Sequence, residues 1–490
     1  MIFYGTITVL LLLSAGLVKK VESANIDIEN HEFKKLQNRY LFAFYLAAFS
    51  DWLQGPYIYQ LYHDYGYDED MIAVLYIAGF ASSSVFGSVV GYMADRFGRK
   101  LLCVLYGLLY AMCCLTKLSP DFYTLLIGRI LGGISTSILF SAFEAWYVNE
   151  HVNFFNFPPE WLNSTYSKAS FVSGFLAIIA GLVADALVTG LDLGSVAPFL
   201  AAIPFLLVSS LFILLVWKEH TNPPTKNDDE FLVFSSLKLM FYHDRILLLL
   251  GFIQSAFESV MYIFIFSWTP VLSSLKPPLG LVFAIFMIAY MMGSKFYKLF
   301  TSRRFRPEIL LLVTCLFSLA CFILITFALT SILFLNLQDV KIPVTICYFC
   351  FILYEVSIGM YFPVMGYLRS RVIDEKYRAS VTNWFRFPMN LFTCLGLVIS
   401  FGSHNNFENA QGFLYSRKFP LIFGTCSILL LAMTFVCAIF CKKYSQKMRF
   451  LEPNNPVVAI EELDTMVRLK GVVKKDSDSI ESQLNREEKV

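Results

Sequence analysis

The chain has 490 residues, of which 57% are hydrophobic and 17% aromatic but only 16% charged, and its mean hydropathy is +0.60. A water-soluble domain of this length needs a larger charged surface, so this composition excludes a soluble enzyme or binding module and predicts a polytopic membrane protein. The net charge of +2 gives no sign of a nucleic-acid partner, and we expect none.

The placement of cysteine and histidine argues against metal and disulfide chemistry. All 11 cysteines lie inside apolar runs, and the six histidines lie in the polar connections between them. A disulfide framework or a Cys/His zinc site needs the reverse arrangement. We therefore expect no metal site and no cofactor.

The first apolar run covers residues 2–18 and is followed by Lys19 and Lys20. It is short enough to be a cleaved signal peptide, and it is also compatible with an uncleaved helix whose N-terminus lies outside. Cleavage requires the polar segment 19–39 to be translocated, so the orientation of the later helices decides between the two.

Twelve further apolar runs are long enough to cross a bilayer as helices. They cover residues 40–62, 71–94, 101–118, 122–148, 168–189, 197–217, 245–270, 278–298, 308–331, 342–368, 378–401 and 418–441. A longer polar connection separates the sixth run from the seventh. The predicted parts are an N-terminal hydrophobic helix with a cytoplasmic linker (1–39), a six-helix bundle (40–217), a cytoplasmic linker (218–244), a second six-helix bundle (245–441) and a disordered cytoplasmic tail (442–490).

Lysine and arginine in the short connections predict the orientation. If the connection at residues 95–100 is cytoplasmic, the outside connections carry only Lys117, Lys276, Lys341, Arg417 and Lys418, and the inside connections carry far more basic residues. This solution places segment 19–39 inside, which favours a retained thirteenth helix with an external N-terminus and a cytoplasmic C-terminus. We expect a monomer in the plasma membrane.

The two halves of the chain resemble each other at corresponding runs. Run five opens with Lys168-Ala169-Ser170 and run eleven with Arg378-Ala379-Ser380. Runs one and seven each carry one carboxylate in mid-span, Asp51 and Glu258. Internal repetition of this kind is typical of transporters.

The connection between runs two and three reads Gly91-Tyr-Met-Ala-Asp95-Arg96-Phe-Gly98-Arg99-Lys100. This pattern resembles the cytoplasmic loop between helices 2 and 3 of the major facilitator superfamily. The resemblance implies an all-α fold of two six-helix bundles, here with an extra N-terminal helix. We interpret Gly91, Asp95, Arg96, Gly98 and Arg99 as a conformational latch that holds the bundles in one of two alternating states.

Other stretches carry a closer resemblance. They are Asp51-Trp-Leu-Gln-Gly-Pro56-Tyr, Leu139-Phe-Ser-Ala-Phe-Glu144-Ala-Trp146-Tyr, Gln254-Ser-Ala-Phe-Glu258-Ser, Trp268-Thr-Pro270-Val-Leu and Asn383-Trp384-Phe-Arg386-Phe-Pro388. Together they resemble the eukaryotic molybdate-anion transporter family, in the same order along the chain. The resemblance implies high-affinity import of molybdate, a small inorganic oxyanion.

Charged side chains inside the predicted spans indicate where a substrate binds. They are Asp51, Arg129, Glu144, Glu258, Glu355 and Arg386. Each costs about 2.5–3.5 kcal/mol at membrane depth and needs a partner, a water-filled cavity or a function. A tetrahedral oxyanion suits the planar, always charged guanidinium group. We predict a clamp of Arg129 and Arg386, with Gln254, Asn383, Ser141 and Tyr361 as neutral donors; the alternative is that each arginine pairs with a carboxylate, for instance Arg129 with Glu144 or Asp51.

The surplus of carboxylates bears on the mechanism. The two arginines are outnumbered by four carboxylates, which are Asp51, Glu144, Glu258 and Glu355. If all four were ionised, they would repel an anion. We hypothesise that one or more of them take up protons that accompany the substrate; the alternative is that they are structural partners of arginine and backbone.

The function predicted from these features is secondary import of molybdate or a similar tetrahedral oxyanion by alternating access, with protons as the coupling ion. Two alternatives stay open: a facilitator-fold transporter of a different solute, and a non-transporting membrane sensor or scaffold of the same fold. The spans contain no histidine and no Ser-His-Asp arrangement, so we expect no enzyme and no catalytic residue.

Overall fold

The structure is a computed structural model that describes residues 2–20, 30–158, 161–220, 245–334, 340–373, 378–399 and 418–450. Regular structure in these ranges is helical throughout, and ten helical segments there are long and apolar enough to cross a membrane. The prediction of an all-α polytopic membrane protein is confirmed.

The described part of the first half of the chain contains nine α-helices. They are α1 (Ile2–Lys20), α2 (His31–Gln54), α3 (Ile58–Asp64), α4 (Glu69–Phe97), α5 (Arg99–Thr116), α6 (Phe122–Leu139), α7 (Ala142–Val148), α8 (Leu162–Asp185) and α9 (Ala197–Val216). A 3₁₀ turn at Gly55–Tyr57 joins α2 to α3, and π-helical turns at Asn149–Phe154 and Ala186–Gly190 extend α7 and α8.

The described part of the second half contains six. They are α10 (Arg245–Leu272), α11 (Leu279–Ser302), α12 (Pro307–Phe334), α13 (Lys341–Val372), α14 (Arg378–Val398) and α15 (Lys418–Phe450). The predicted linker at 218–244 lies outside the described residues beyond His220, and the predicted tail lies outside them beyond residue 450.

Short polar side chains begin three of these helices. Asn30 Oδ1 accepts a hydrogen bond from the Phe33 amide at 3.0 Å, and Asp68 Oδ1 accepts one from the Met71 amide at 2.9 Å. Asp121 caps α6 by accepting from the Thr124 amide at 2.8 Å, and this bond lowers the pKa of the Asp121 carboxyl. Such caps satisfy amide groups that the first helical turn leaves unpaired.

Several helices extend beyond the apolar runs that predicted them, because hydropathy records only the apolar part of a helix. Helix α2 begins at His31 rather than at residue 40, and α13 continues to Val372 rather than ending at residue 368. The predicted run 122–148 is interrupted at Phe140 and Ser141, where Ser141 has φ −132° and ψ −56°. The Ser141 hydroxyl donates to the Ser137 carbonyl at 2.5 Å at this break.

Histidine placement also differs from the prediction. His151 was expected in a polar connection, but it is fully buried in the π-helical turn Asn149–Phe154. Its Nε2 lies 3.0 Å from the Pro158 carbonyl, and its ring lies against Phe33 and Phe157. The aromatic residues after α7 therefore cover the start of α2.

The helices pack in two sets that follow the halves of the chain. In the first half α4 packs on α6, α5 on α6 and α9, and α2 on α8 and α9; in the second, α13 packs on α11 and α12, and α14 on α10. These contacts belong to one compact unit, Met1–Cys437. A second unit, Ala438–Val490, includes the last turns of α15.

Helix α1 packs against the second half of the chain. It contacts α11, and the buried Phe3 ring meets Tyr348 of α13 edge to face at 5.1 Å. Retention of α1 as a thirteenth helix stays a prediction. Its polar connection to α2 lies outside the described residues between 20 and 30.

Glycines allow α11 and α13 to approach closely. A Cβ atom on Gly359 would lie 1.8 Å from the Tyr290 carbonyl oxygen, and one on Gly293 would lie 2.0 Å from the Val356 carbonyl oxygen. Both distances are far below van der Waals contact. Small residues at such crossings stabilise helix pairs in membranes through close backbone packing.

We predict that Gly359→Ala lowers the thermal stability of the detergent-solubilised protein, by an amount typical of overpacking, about 1–3 kcal/mol. The added methyl group would force α11 and α13 apart. Gly366→Ala on the same helix is the matched control, because a Cβ atom there meets nothing within 4 Å. Equal melting temperatures for the two variants would contradict the prediction.

A candidate substrate site among the central helices

Besides the contact of α1 with α11, two further pairs of long helices connect the halves of the chain. Helix α8 packs on α11, and α4 packs on α14. Between α8 and α11 the backbones nearly touch, since a Cβ atom on Gly280 would lie 2.3 Å from the Gly181 carbonyl oxygen. We call the end of the structure that holds Glu69 and Lys418 the Lys418 end, and the opposite end, at the junction of α4 and α5, the Gly98 end.

Charged and aromatic contacts join the halves towards the Lys418 end. Lys418 Nζ lies 3.0 Å from Asp70 Oδ1 and 3.9 Å from Glu69 Oε2. All three side chains are at least three-quarters buried, with 12% of Lys418, 25% of Asp70 and 19% of Glu69 exposed. Ring contacts between the halves are Tyr59 with Phe266, Tyr76 with Phe266, Phe80 with Tyr262 and Trp52 with Phe283. The two halves are therefore closed together at this end.

Glu258 lies beside two of the predicted neutral donors, Tyr361 and Gln254. Its Oε1 accepts a hydrogen bond from the Tyr361 hydroxyl at 3.3 Å, and Gln254 lies beside it one turn earlier on α10. Phe257 stacks on the Tyr361 ring at 3.9 Å and fixes that side chain. Gln254 is 3% exposed, and its Oε1 has no hydrogen-bond partner in the described structure. This oxygen is an acceptor, so a water molecule or another hydrogen-bond donor could satisfy it, whereas an oxyanion could not.

Two arginines act on the same pair of carboxyl groups. The charges of Arg369 and Arg386 both reach Glu144 and Glu258. Glu144 is exposed, and Glu258 and both arginines are half-buried. None of these four side chains takes part in an ion pair shorter than 4 Å among the described residues. The cluster therefore holds two guanidinium groups and two carboxyl groups, none of them locked in a close ion pair within the described part of the chain.

Arg386 also reaches the first half of the chain. A Cβ atom on Gly87 of α4 would lie 3.8 Å from Arg386 Nη1 and 3.7 Å from the Ser137 hydroxyl. These are ordinary van der Waals distances, so the Arg386 guanidinium group lies directly beside the backbone of α4 at Gly87. The cluster thus combines α4 and α7 of the first half with α10, α13 and α14 of the second.

Sequence reasoning missed Arg369. It was assigned to a cytoplasmic connection, because it lies just beyond the apolar run that predicted α13. The helix continues past it, and Arg369 follows Tyr361 by eight residues, which places both on similar faces about two turns apart. The helical spacing Tyr361, Met365, Arg369 was the signal that could have found it.

Arg129, the other predicted clamp residue, contacts α4. Its Nε donates to the Leu75 carbonyl at 3.1 Å, and its guanidinium carbon lies 4.6 Å from the centre of the Tyr76 ring. A Cβ atom on Gly79 would lie 3.0 Å from Arg129 Nη2. Gly79 and Gly87, the α4 residues beside Arg129 and Arg386, are eight positions apart, about 12 Å along the helix. The contacts described here do not bring the two arginines together, and no ion pair of Arg129 is found among the described residues.

The remaining predicted residues lie in three settings. Asp51 accepts a hydrogen bond from the Tyr110 hydroxyl at 2.5 Å, and its charge reaches Tyr262 together with those of Glu258 and Arg386. Glu355 is 6% exposed, and its charge acts on Tyr290 and Tyr354. Ser141 lies at the helix break described above. The side chain of Asn383 lies outside the described residues.

The predicted latch contains a carboxylate that sequence reasoning did not assign. Glu219 accepts hydrogen bonds from the Arg99 amide at 2.5 Å and the Lys100 amide at 3.0 Å. Gly98, at φ 98°, makes room for it, because a Cβ atom there would lie 2.7 Å from Glu219 Oε2. Glu219 thereby caps α5 and links it to the end of α9. Arg96 lies over the Phe97 ring, and the side chains at 91 and 95 lie outside the described residues.

Comparison with known proteins agrees with this architecture. A family model described as sugar transporters with 12 TM matches residues 1–353. A solved nucleoside transporter superposes with a TM-score of 0.62 at 15% identity, covering 82% of this chain and 99% of that one. A D-xylose–proton symporter gives 0.61 at 15% identity, with 83% and 97% covered. The predicted major facilitator fold is confirmed.

Sequence relatives narrow the family further. The chain is 39% identical over 426 residues to a molybdate-anion transporter of Takifugu rubripes, covering 82% of this chain and 86% of the relative. A protein of the same name from Danio rerio is 37% identical over 442 residues, with 86% and 90% covered.

These findings define the class of protein. The chain is a multi-pass membrane transporter of the major facilitator superfamily and not an enzyme. Within that superfamily it belongs to the molybdate-anion transporter family, as the sequence resemblance implied.

We predict that Lys418 and Asp70 are energetically coupled across the two halves. In a double-variant cycle of Lys418→Gln and Asp70→Asn, the double variant should lose less thermal stability than the two single variants together, with a coupling energy of about 0.5–3 kcal/mol. The charges are partly buried, so solvent screens them less than at a free surface. The control is a second cycle that combines Lys418→Gln with Asp121→Asn, an exposed cap on α6, and there the losses of stability should simply add. Coupling of equal size in both cycles would contradict a specific interaction between Lys418 and Asp70.

Proposed function

We propose that this chain imports molybdate, or a tetrahedral oxyanion like it, through the site between Arg386 and Glu258. The observation that carries the proposal is the pair of accessible arginines, Arg369 and Arg386, placed against two carboxyl groups between the halves of a facilitator fold. Relatives that carry the name molybdate-anion transporter support the choice of substrate.

The two guanidinium groups of the cluster suit a dianion. Guanidinium groups bind oxyanions through two parallel N–H bonds and stay charged at every physiological pH. Gln254 and Tyr361 supply neutral polar groups beside Glu258. The proposed path also includes the other predicted contacts, Arg129, Ser141 and Asn383. The anion meets these donors on either side of the cluster.

Protons accompany the anion in this proposal. With Glu144 and Glu258 ionised, the two arginines and two carboxylates sum to zero, and a dianion adds two negative charges. Protonation of the two carboxyl groups restores neutrality as the substrate binds. Entry against a negative membrane potential otherwise costs about 2.3 kcal/mol per charge per 100 mV. Asp51 and Glu355 are the further candidates for proton uptake.

The proposed mechanism is alternating access, and the asymmetry of the two ends supports it. The Lys418 end is closed by ion-pair, aromatic and backbone contacts between the halves. In our proposal the Lys418 end faces outside and the Gly98 end faces the cytoplasm, with the N-terminus outside, the C-terminus inside and the monomer active in the plasma membrane. Lys418 separates from Asp70 when the outward-facing state forms. In that state the cytoplasmic end of α5 is held by Glu219, Gly98 and Arg99.

We predict that Arg386→Ala and Arg369→Ala each reduce molybdenum uptake by at least about tenfold, because each removes one charged donor from the anion. The measurement is uptake by cells that express this chain, at matched surface expression and with excess sulfate as a competitor. Arg371→Ala, an exposed change on the same helix, is the control and should transport normally.

The same experiment decides the role of Arg129. A loss in Arg129→Ala as large as that in Arg386→Ala supports the two-halved clamp, and normal transport assigns Arg129 to the packing of α6 on α4. Wild-type-like uptake in both Arg369→Ala and Arg386→Ala would contradict the site. A chain at the cell surface that takes up no molybdenum at all would favour a different solute.

Proton coupling predicts that uptake rises as the external solution is made more acidic, with the membrane potential clamped in vesicles. Acid supplies the protons that neutralise Glu144 and Glu258. Glu258→Gln should flatten this pH dependence, because the amide cannot take up a proton. Glu355→Gln removes the carboxyl group that lies apart from the arginines and tests whether that group takes up a proton as well. Uptake that ignores external pH over a wide range would exclude proton coupling.

A further inference from the structure

Three side chains on α10 lie along the way from the Lys418 end to the candidate substrate site. Phe266, Tyr262 and Glu258 follow one another at four-residue intervals, so they lie on similar faces of the helix, about 6 Å apart along its axis. Phe266 belongs to the ring contacts that close the Lys418 end, and Glu258 belongs to the charged cluster. Tyr262 therefore lies between the closed end and the cluster.

The Tyr262 ring packs across the two halves of the chain. Its centre lies 5.0 Å from that of the Phe80 ring on α4. The Phe80 ring in turn contacts the Tyr76 ring at 6.1 Å, and the centre of the Tyr76 ring lies 4.6 Å from the guanidinium carbon of Arg129. A row of packed rings thus holds Tyr262 in place and leads from it to Arg129.

The contact of Tyr262 with α4 lies at a level between those of the two arginines predicted as a clamp. Phe80 follows the α4 residues that contact Arg129. It precedes Gly87, the α4 residue beside Arg386, by seven positions, about 10 Å along the helix. The charge of Arg386 also reaches Tyr262. An anion that moves from Arg129 to Arg386 therefore passes Tyr262.

The Tyr262 hydroxyl is available as a hydrogen-bond donor. The side chain is half-buried, and its hydroxyl makes no hydrogen bond among the described residues. The charges of Glu258, Arg386 and Asp51 all reach it. A phenol hydroxyl can donate a proton to an acceptor, so this group, unlike the Gln254 side-chain carbonyl, can satisfy an oxyanion. Tyrosine hydroxyl groups that are removed from water usually have such a partner.

We propose that Tyr262 is a further substrate-binding residue, whose hydroxyl donates a hydrogen bond to the oxyanion between Arg129 and Arg386. This role rests on the proposed function, since it requires an anion to pass the site. A hydrogen bond to an ionised acceptor is shorter and stronger than one between neutral groups. The ring contact with Phe80 holds the hydroxyl in place before the anion arrives, which lowers the entropy cost of binding. Charge patterns could not reveal this residue, because tyrosine carries no charge and the span around it is rich in aromatic residues.

The test is Tyr262→Phe, which removes the hydroxyl and keeps the ring on Phe80. Uptake of labelled molybdate is measured against external concentration at matched surface expression. We expect the half-saturating concentration to rise about tenfold, as for the loss of one hydrogen bond to a charged group, while the maximal rate changes little. In the purified full chain, the molybdate concentration that raises the melting temperature should increase by the same factor, and the melting temperature without molybdate should match that of the wild type.

The matched control is Tyr59→Phe, the same chemical change one layer closer to the Lys418 end, where the Tyr59 ring contacts Phe266. Its half-saturating concentration should equal that of the wild type. An unchanged value in Tyr262→Phe, a loss of maximal rate alone, or an equal rise in Tyr59→Phe would overturn the role of Tyr262 and leave the proposed transport intact. A folded wild-type chain that neither binds nor takes up molybdate would instead overturn the proposed function, and the role of Tyr262 with it.

Discussion

The cost of holding charge at membrane depth is the constraint on which the centre of this molecule depends. Each ionised side chain there costs about 2.5–3.5 kcal/mol on insertion scales, and one charge is tolerable only if others balance it. Arg369 and Arg386 act on Glu144 and Glu258, so two guanidinium groups and two carboxyl groups share one region. The carboxyl groups can offset the two positive charges when no anion is bound, and in the proposed function they take up protons when a dianion binds.

Close packing at the Lys418 end complements that open, charged centre. Gly181 and Gly280 bring α8 and α11 into backbone contact, and Lys418 reaches Asp70 across the halves. At the Gly98 end, by contrast, the described contacts of Glu219 join two helices of the same half, α5 and α9. A molecule that is joined across its halves at one end can open at the other, which is the geometric requirement for alternating access.

Local sequence patterns predicted the fold class and several residues of the candidate site. Apolar runs predicted the helices, and the charges within them pointed to Glu144, Glu258 and Arg386, because a charge inside an apolar run is visible without a structure. That these residues bind substrate stays a prediction. Patterns could not show that α13 continues past its apolar part, so Arg369 was assigned to a connection. Patterns also could not show that Arg129 and Arg386 lie at different depths, because this depends on where each helix begins. Nor could they show the cap that Glu219 provides, because it depends on a contact between distant parts of the chain.

The central claim is that this chain alone moves molybdate across a membrane. The most direct measurement is influx of labelled molybdate into liposomes that contain only the purified chain, compared with protein-free liposomes. The account predicts saturable influx that unlabelled molybdate competes away. No influx above the protein-free level, from liposomes in which the chain is shown to be folded, would contradict it.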